Sequence, residues 1–150
     1  METVPVATLA HLIQLAIAPV FLLAGIGAIL NVLAQRLARV VDRARKLEEE
    51  FTSYDETERA RAGAELCLLD RRMKVVNHAI RACTASALFT CFLVAMLFVA
   101  DLTDFPFSQP IALLFIVAML LLIAGLMLFL HEISLAMRSL SVRRELLPKD

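Results

Sequence analysis

Between Leu12 and Gln35 the chain carries no charged residue, and then Arg36, Arg39, Asp42, Arg43, Arg45 and Lys46 arrive within eleven positions. The helical phase does not break at that change. Leu33, Leu37, Val40, Ala44, Leu47 and Phe51 are spaced 4, 3, 4, 3, 4, which is the apolar seam of a heptad repeat. A turn at the boundary would throw that seam out of phase. The pattern therefore predicts one helix running from an apolar surrounding into water.

A second seam answers the first. Leu66, Leu69, Met73, Val76, Ile80, Cys83 and Ala87 are spaced 3, 4, 3, 4, 3, 4. Laid antiparallel, Leu47/Leu66, Ala44/Leu69, Val40/Met73, Leu37/Val76 and Leu33/Ile80 share one register, each pair of numbers adding to 113. Glu48, Glu49 and Glu50 make a solvated helix end, and Phe51–Asp55 reads as the turn. Ser53 with Glu56, or Asp55 with Glu58, fits a capping box that opens the return helix. Asp55/Arg59, Arg61/Glu65 and Asp70/Lys74 are i,i+4 pairs on its exposed face. Gly63 is its weakest helical position.

Apolar residues make up 60% of the 150 residues and the mean hydropathy is +0.77, well above soluble usage. Three spans are expected, at about 13–35, 82–100 and 111–130. Pro19 denies its helix a hydrogen bond to residue 15, so the first span is expected as a kinked helix whose first turns, with Thr8, His11 and Gln14, lie at the outer interface. The second opens with the small cluster 82–87, whose expected partner is Ala24-Gly25-Ile26-Gly27-Ala28. An outer loop at 101–110 carries Phe105 and Phe107 to interface depth, and Pro110 suits the first turn of the third span. Beyond that span Leu126, Leu130, Ile133, Met137 and Leu140 extend a seam into a tail helix at 132–147, ended by Pro148.

Basic residues set the orientation. The segment from Gln35 to Ala82 holds eleven Lys or Arg and the tail after Glu132 the other four, while the residues before Pro19 and the loop 101–110 hold none. The positive-inside rule puts residues 36–81 and the C-terminus in the cytoplasm and the N-terminus outside. No basic region precedes the first apolar run, so it is read as a retained anchor. Cys67, Cys83 and Cys91 are then expected as reduced thiols.

The order Pro19, apolar span, Arg36-Leu37-Ala38-Arg39-Val40-Val41-Asp42-Arg43-Ala44-Arg45-Lys46-Leu47, then Leu69-Asp70-Arg71-Arg72 leading into Ala79-Ile80 and a second span, resembles a family of small bacterial three-pass membrane proteins of unknown function. The likeness covers roughly residues 10–140. It implies a bacterial inner (cytoplasmic) membrane protein of this topology, and it implies no activity or cofactor.

Three constellations are candidates for function. Asn31, Gln35, Asn77, His78, Arg81, His131 and Glu132 fall at one depth and form an interfacial polar layer, able to relay a proton or to pair among themselves. Their spacing lacks a zinc signature. A small and polar stripe on the first helix, Gln14, Ala18, Gly25, Ala28, Asn31 and Gln35, serves helix packing or lines a pore between copies. In the pore case Asp101 and Asp104 would form an outer acidic ring. Third, Arg36, Arg39, Asp42, Arg43, Asp70, Arg71 and Arg72 supply charges for lipid headgroups or for neighbouring helices. In the antiparallel register Arg43 falls beside Arg72, and Glu50 beside Glu65. These like-charge contacts are offset by a third element, whether the tail (Glu132, Glu145), another copy or anionic lipid, or else by simple solvation of flexible side chains.

No nucleophile motif or phosphate-cradling glycine loop appears, so an enzyme is not expected. The predicted protein is all-α: a single membrane domain of three transmembrane helices, the first two prolonged into a cytoplasmic antiparallel hairpin. It needs no cofactor, binds no nucleic acid and shows no small-molecule substrate. It is expected to act as a self-assembling homo-oligomer or a module for a membrane-protein partner, the alternative being a homo-oligomeric ion pore lined by the first helix, and a third reading, a lipid-binding accessory subunit, rests only on the arginine band.

Overall fold

The computed structural model describes residues 6–102 and 108–141, with side chains at 10–11, 13–100 and 109–135. Among these residues the regular elements are all helical: α1 Val6–Glu50, a 3-10 turn at Phe51–Ser53, α2 Glu56–Leu102 and α3 Ser108–Ser141. Each of the three long helices contains a stretch long and apolar enough to cross a membrane.

α1 passes through Pro19 without interruption, so the residues before it belong to the same helix as the span. The boundaries elsewhere differ from expectation. α2 continues to Leu102 and α3 already begins at Ser108, both inside the range 101–110 expected for an outer loop. Pro110 does fall in the first turn of α3, where its missing N–H leaves no helical bond unmade. α3 then runs without a break to Ser141, and residues 142–147 of the tail helix expected at 132–147 lie outside the described residues. Asp104, Phe105, Phe107, Glu145 and Pro148 lie outside the described residues, as does the Asp101 side chain.

The fold's contacts group into two units, one of residues 1–30 and 82–123, the other of residues 31–81 and 124–150. In the first, Ile26, Cys83, Ser86, Thr90, Leu93 and Ala118 are buried. The Ser86 hydroxyl donates to the Ala118 carbonyl of α3 at 2.7 Å, and Thr90 donates to the Ser86 carbonyl at 2.9 Å. The small cluster of α2 thus joins α3 by a hydrogen bond. In the glycine run of α1, expected to be its partner, Ile26 is 1% exposed. Gly25 and Gly27 are exposed, and a Cβ added to either would meet nothing within 4 Å.

In the second unit Val40, Ala44 and Leu47 of α1 share a buried cluster with Ala62 and Leu69 of α2, with Tyr54, Leu66 and Met73 packed against it. Leu33 and Val76 are fully buried. Both seams therefore bury their apolar positions, with local adjustments. Phe51 is exposed, and Ala79 rather than Ile80 lies fully buried on α2. The connection between the helices is closed by side chains. Ser53 donates to the Glu50 carbonyl at 2.7 Å, while Asp55 caps α2, its carboxylate accepting from the Thr57 N–H at 3.4 Å and its own N–H reaching Glu58 at 3.1 Å. Of the predicted i,i+4 pairs Lys74–Asp70 forms at 2.6 Å. Arg59 instead donates to the Thr52 carbonyl, and Glu65 is taken by Arg43.

The seam expected on α3 is displaced by one position. Leu126 and Leu130 are exposed, whereas Gly125 and Glu132 are buried. A helix leucine-rich on every side offers no apolar stripe to read, and the buried line is instead set by a charge.

Candidate functional site

On α1, Arg36 stands between Leu33 and Val40 and so flanks the buried seam; on α2, Arg72 follows Leu69 by three residues and does the same. Helical spacing therefore aims two guanidinium groups along the edge of a packed apolar surface. α3 meets them with Glu132, whose side chain is 0% exposed. Arg36 Nη1 donates to Glu132 Oε2 at 3.2 Å and Arg72 Nη2 donates to Glu132 Oε1 at 2.7 Å, so each carboxylate oxygen has its own cation. A buried carboxylate is costly unless it is both paired and hydrogen-bonded, and this arrangement meets both conditions.

The arginines differ in how they are held. Arg36 is 34% exposed and lies with Cζ 5.4 Å from the centroid of the Phe129 ring, one helical turn before Glu132, a cation–π contact that fixes its approach. Arg72 is 19% exposed, and its buried Nε finds no acceptor among the described residues. Arg43, more exposed, donates through Nε to Glu65 at 2.8 Å, and this hydrogen bond holds its proton more tightly than usual. Arg39 makes a single long contact, Nε to the Gln35 carbonyl at 3.4 Å. The like-charge contacts foreseen in the sequence are thus dispersed: Arg72 turns to Glu132, Arg43 to Glu65, and Glu50 accepts the Tyr54 hydroxyl at 2.6 Å. Of these four residues Arg72 alone turns to α3; the other three find partners on α1, α2 and the turn between them.

The other candidates separate. Of the polar layer, Glu132 alone is buried. Asn77, His78, Arg81 and His131 are exposed, with His78 Nδ1 at 2.7 Å from the Lys74 carbonyl of its own helix. Among the described residues no three His, Cys, Asp or Glu side chains converge as a metal set. The stripe of α1 is uncovered along its length: Gln14, Ala18, Gly25, Ala28, Asn31 and Gln35 are all exposed, and Gln35 donates to Asn31 at 3.4 Å. Asp42, Asp70 and Arg71 are exposed, and all three cysteines are free, Cys83 buried and Cys67 and Cys91 exposed. Sequence reasoning missed Phe129 as a support for Arg36. Its place three residues before Glu132 was the available signal.

The protein-family model described as a protein of unknown function (DUF2721) matches residues 16–142 of the chain. No curated protein and no solved structure matches it.

Proposed function

The chain belongs to the DUF2721 family, whose description carries no activity, and we propose that it is a non-enzymatic, multi-pass protein of the bacterial inner membrane that works by assembling with further copies of itself. In this reading residues 36–81 form an antiparallel hairpin in the cytoplasm, with the N-terminus outside and the C-terminus inside. Support for the hairpin comes from the cluster shared by Val40, Ala44, Leu47, Ala62 and Leu69 and from the Arg43–Glu65 pair. The basic residues concentrated in 36–81 and in the tail favour the orientation.

The observation that carries assembly is the uncovered face of α1. Two glycines that no neighbour crowds stand on a helix with an exposed amide pair, Asn31 and Gln35. Small residues in a membrane helix admit another backbone, and the space beside these two glycines is left open by the described residues. Amides are both donors and acceptors, so the same face on a second copy complements it reciprocally. Light scattering of the purified chain in detergent is expected to give a multiple of its mass, and Gly25→Leu should reduce it towards one copy. A wild-type monomer would overturn the reading. For the hairpin, cysteines at Val40 and Met73 should crosslink on mild oxidation and a pair at Val40 and Leu66 should not.

The exposed Asn31 and Gln35 also favour a second reading, an ion pore enclosed by several copies of α1. Conductance across a planar bilayer that changes with Asn31→Ala or Gln35→Ala supports it, and silence from folded oligomer removes it.

A further inference from the structure

Beside the Glu132 ion pairs the second unit contains a cavity of about 280 Å³ lined by Arg36, Arg39, Val40, Arg43, Leu69 and Arg72. Four of its six lining residues are arginines. Among the described residues two carboxylates are bonded to them, Glu132 shared between Arg36 and Arg72, and Glu65 on Arg43. The four arginines thus outnumber the described carboxylates that pair with them by two. Arg39 has only the long contact with a backbone carbonyl. The Arg72 Nε is buried and lacks an acceptor, which is a cost in a folded protein unless something else occupies the position.

We infer that this cavity is a binding site for a phosphate-type oxyanion, supplied by a phospholipid headgroup or by a free phosphate compound. Guanidinium groups present forked donors that match phosphate oxygens, and several directed at one space are how proteins hold such groups. The volume is at the small end of ligand sites, suited to a charged head and not to a large organic molecule. Val40 and Leu69 give the site an apolar floor, where charge-assisted bonds are less screened. Arg36 is the first charge after the uncharged run from Leu12, so under the topology proposed above it stands at headgroup depth. The site requires no second copy of the chain, so its test is separate from that of assembly.

The test uses the full chain. In one arm, inorganic phosphate is titrated at constant ionic strength into protein held in a neutral detergent, with calorimetry and thermal unfolding as readouts. In the other, the chain is placed in phosphatidylcholine nanodiscs with and without phosphatidylglycerol. Saturable binding and protection in the first arm identify a free phosphate as the source; protection confined to phosphatidylglycerol discs identifies the headgroup. In whichever arm responds, Arg39→Gln should weaken the apparent affinity about ten- to a hundredfold, the loss of one charge-assisted bond, while Arg45→Gln should leave it unchanged. Arg39 has so little bonding of its own that the variant is expected to keep the wild-type circular dichroism. No saturable response in either arm overturns the proposal, and so does an equal loss with Arg45→Gln.

Discussion

Replacing Glu132 by glutamine keeps the size of the side chain and removes its charge from between two arginines. The carboxylate is fully buried, Arg72 is 19% exposed with one nitrogen already unpartnered, and Arg36 is 34% exposed. Removing one member of a buried ion pair typically costs about 3–5 kcal/mol, because the remaining charge is left without compensation. Two features lessen it here. Arg36 can turn towards solvent, and the glutamine carbonyl still accepts one bond. We therefore expect E132Q to lose about 3 kcal/mol, at the lower end of that range. Unfolding of the micelle-solubilised chain by added denaturing detergent, followed by far-UV circular dichroism, would measure it. The cycle with Arg72→Met sharpens the test. Removing Arg72 as well leaves one stranded charge fewer, Arg36 alone, so the double variant E132Q/R72M should be more stable than the sum of the single losses by about 1–3 kcal/mol. E132Q within about 0.5 kcal/mol of wild type, or strictly additive losses, would refute the assignment of Glu132 as the charge that holds α3 in place.

Tyr54 is the only tyrosine and there is no tryptophan, so phenolate absorbance reports one residue. Its hydrogen bond to Glu50 raises its pKa above 10.0; it should titrate late, and Glu50→Gln should bring it back down. Because the folded value is the higher one, the stabilisation from this contact is whole below the ordinary tyrosine range and fades as pH rises through the folded pKa. Ser86→Ala removes the bond to the Ala118 carbonyl and should cost about 0.6 kcal/mol, at most about 1.7, in the same unfolding assay. Cys67 is exposed, so a membrane-impermeant maleimide should label it in opened but not in intact cells if residues 36–81 are cytoplasmic.

How much could be read from the chain beforehand depended on contrast. The seams of α1 and α2 were legible because charged residues surround Val40, Ala44, Leu47, Leu69 and Val76, and a stripe shows only against a different background. Across the leucine-rich stretch of α3 that background vanishes. An apolar rule chose Leu126 and Leu130, which are exposed, over Gly125 and Glu132, which are buried. The reason is physical. Lipid is as apolar as a protein core, so burial in α3 follows what needs a partner, and the group in greatest need is a carboxylate. Charge bookkeeping came closer, since the crowding of Arg43 and Arg72 called for an anion and put forward Glu132 among the sources. In the glycine run of α1 the two glycines themselves stand open while Ile26 between them is buried, because smallness permits close approach without saying which position uses it.

Glu132 lies 96 residues beyond Arg36 and 60 beyond Arg72. As the nascent chain emerges, both arginines are made, and the first two helices are complete, well before their counter-charge exists. A ribosome adding about 5–20 residues each second leaves them in that unbalanced condition for several seconds. A chain cut short before Glu132 would keep that deficit permanently.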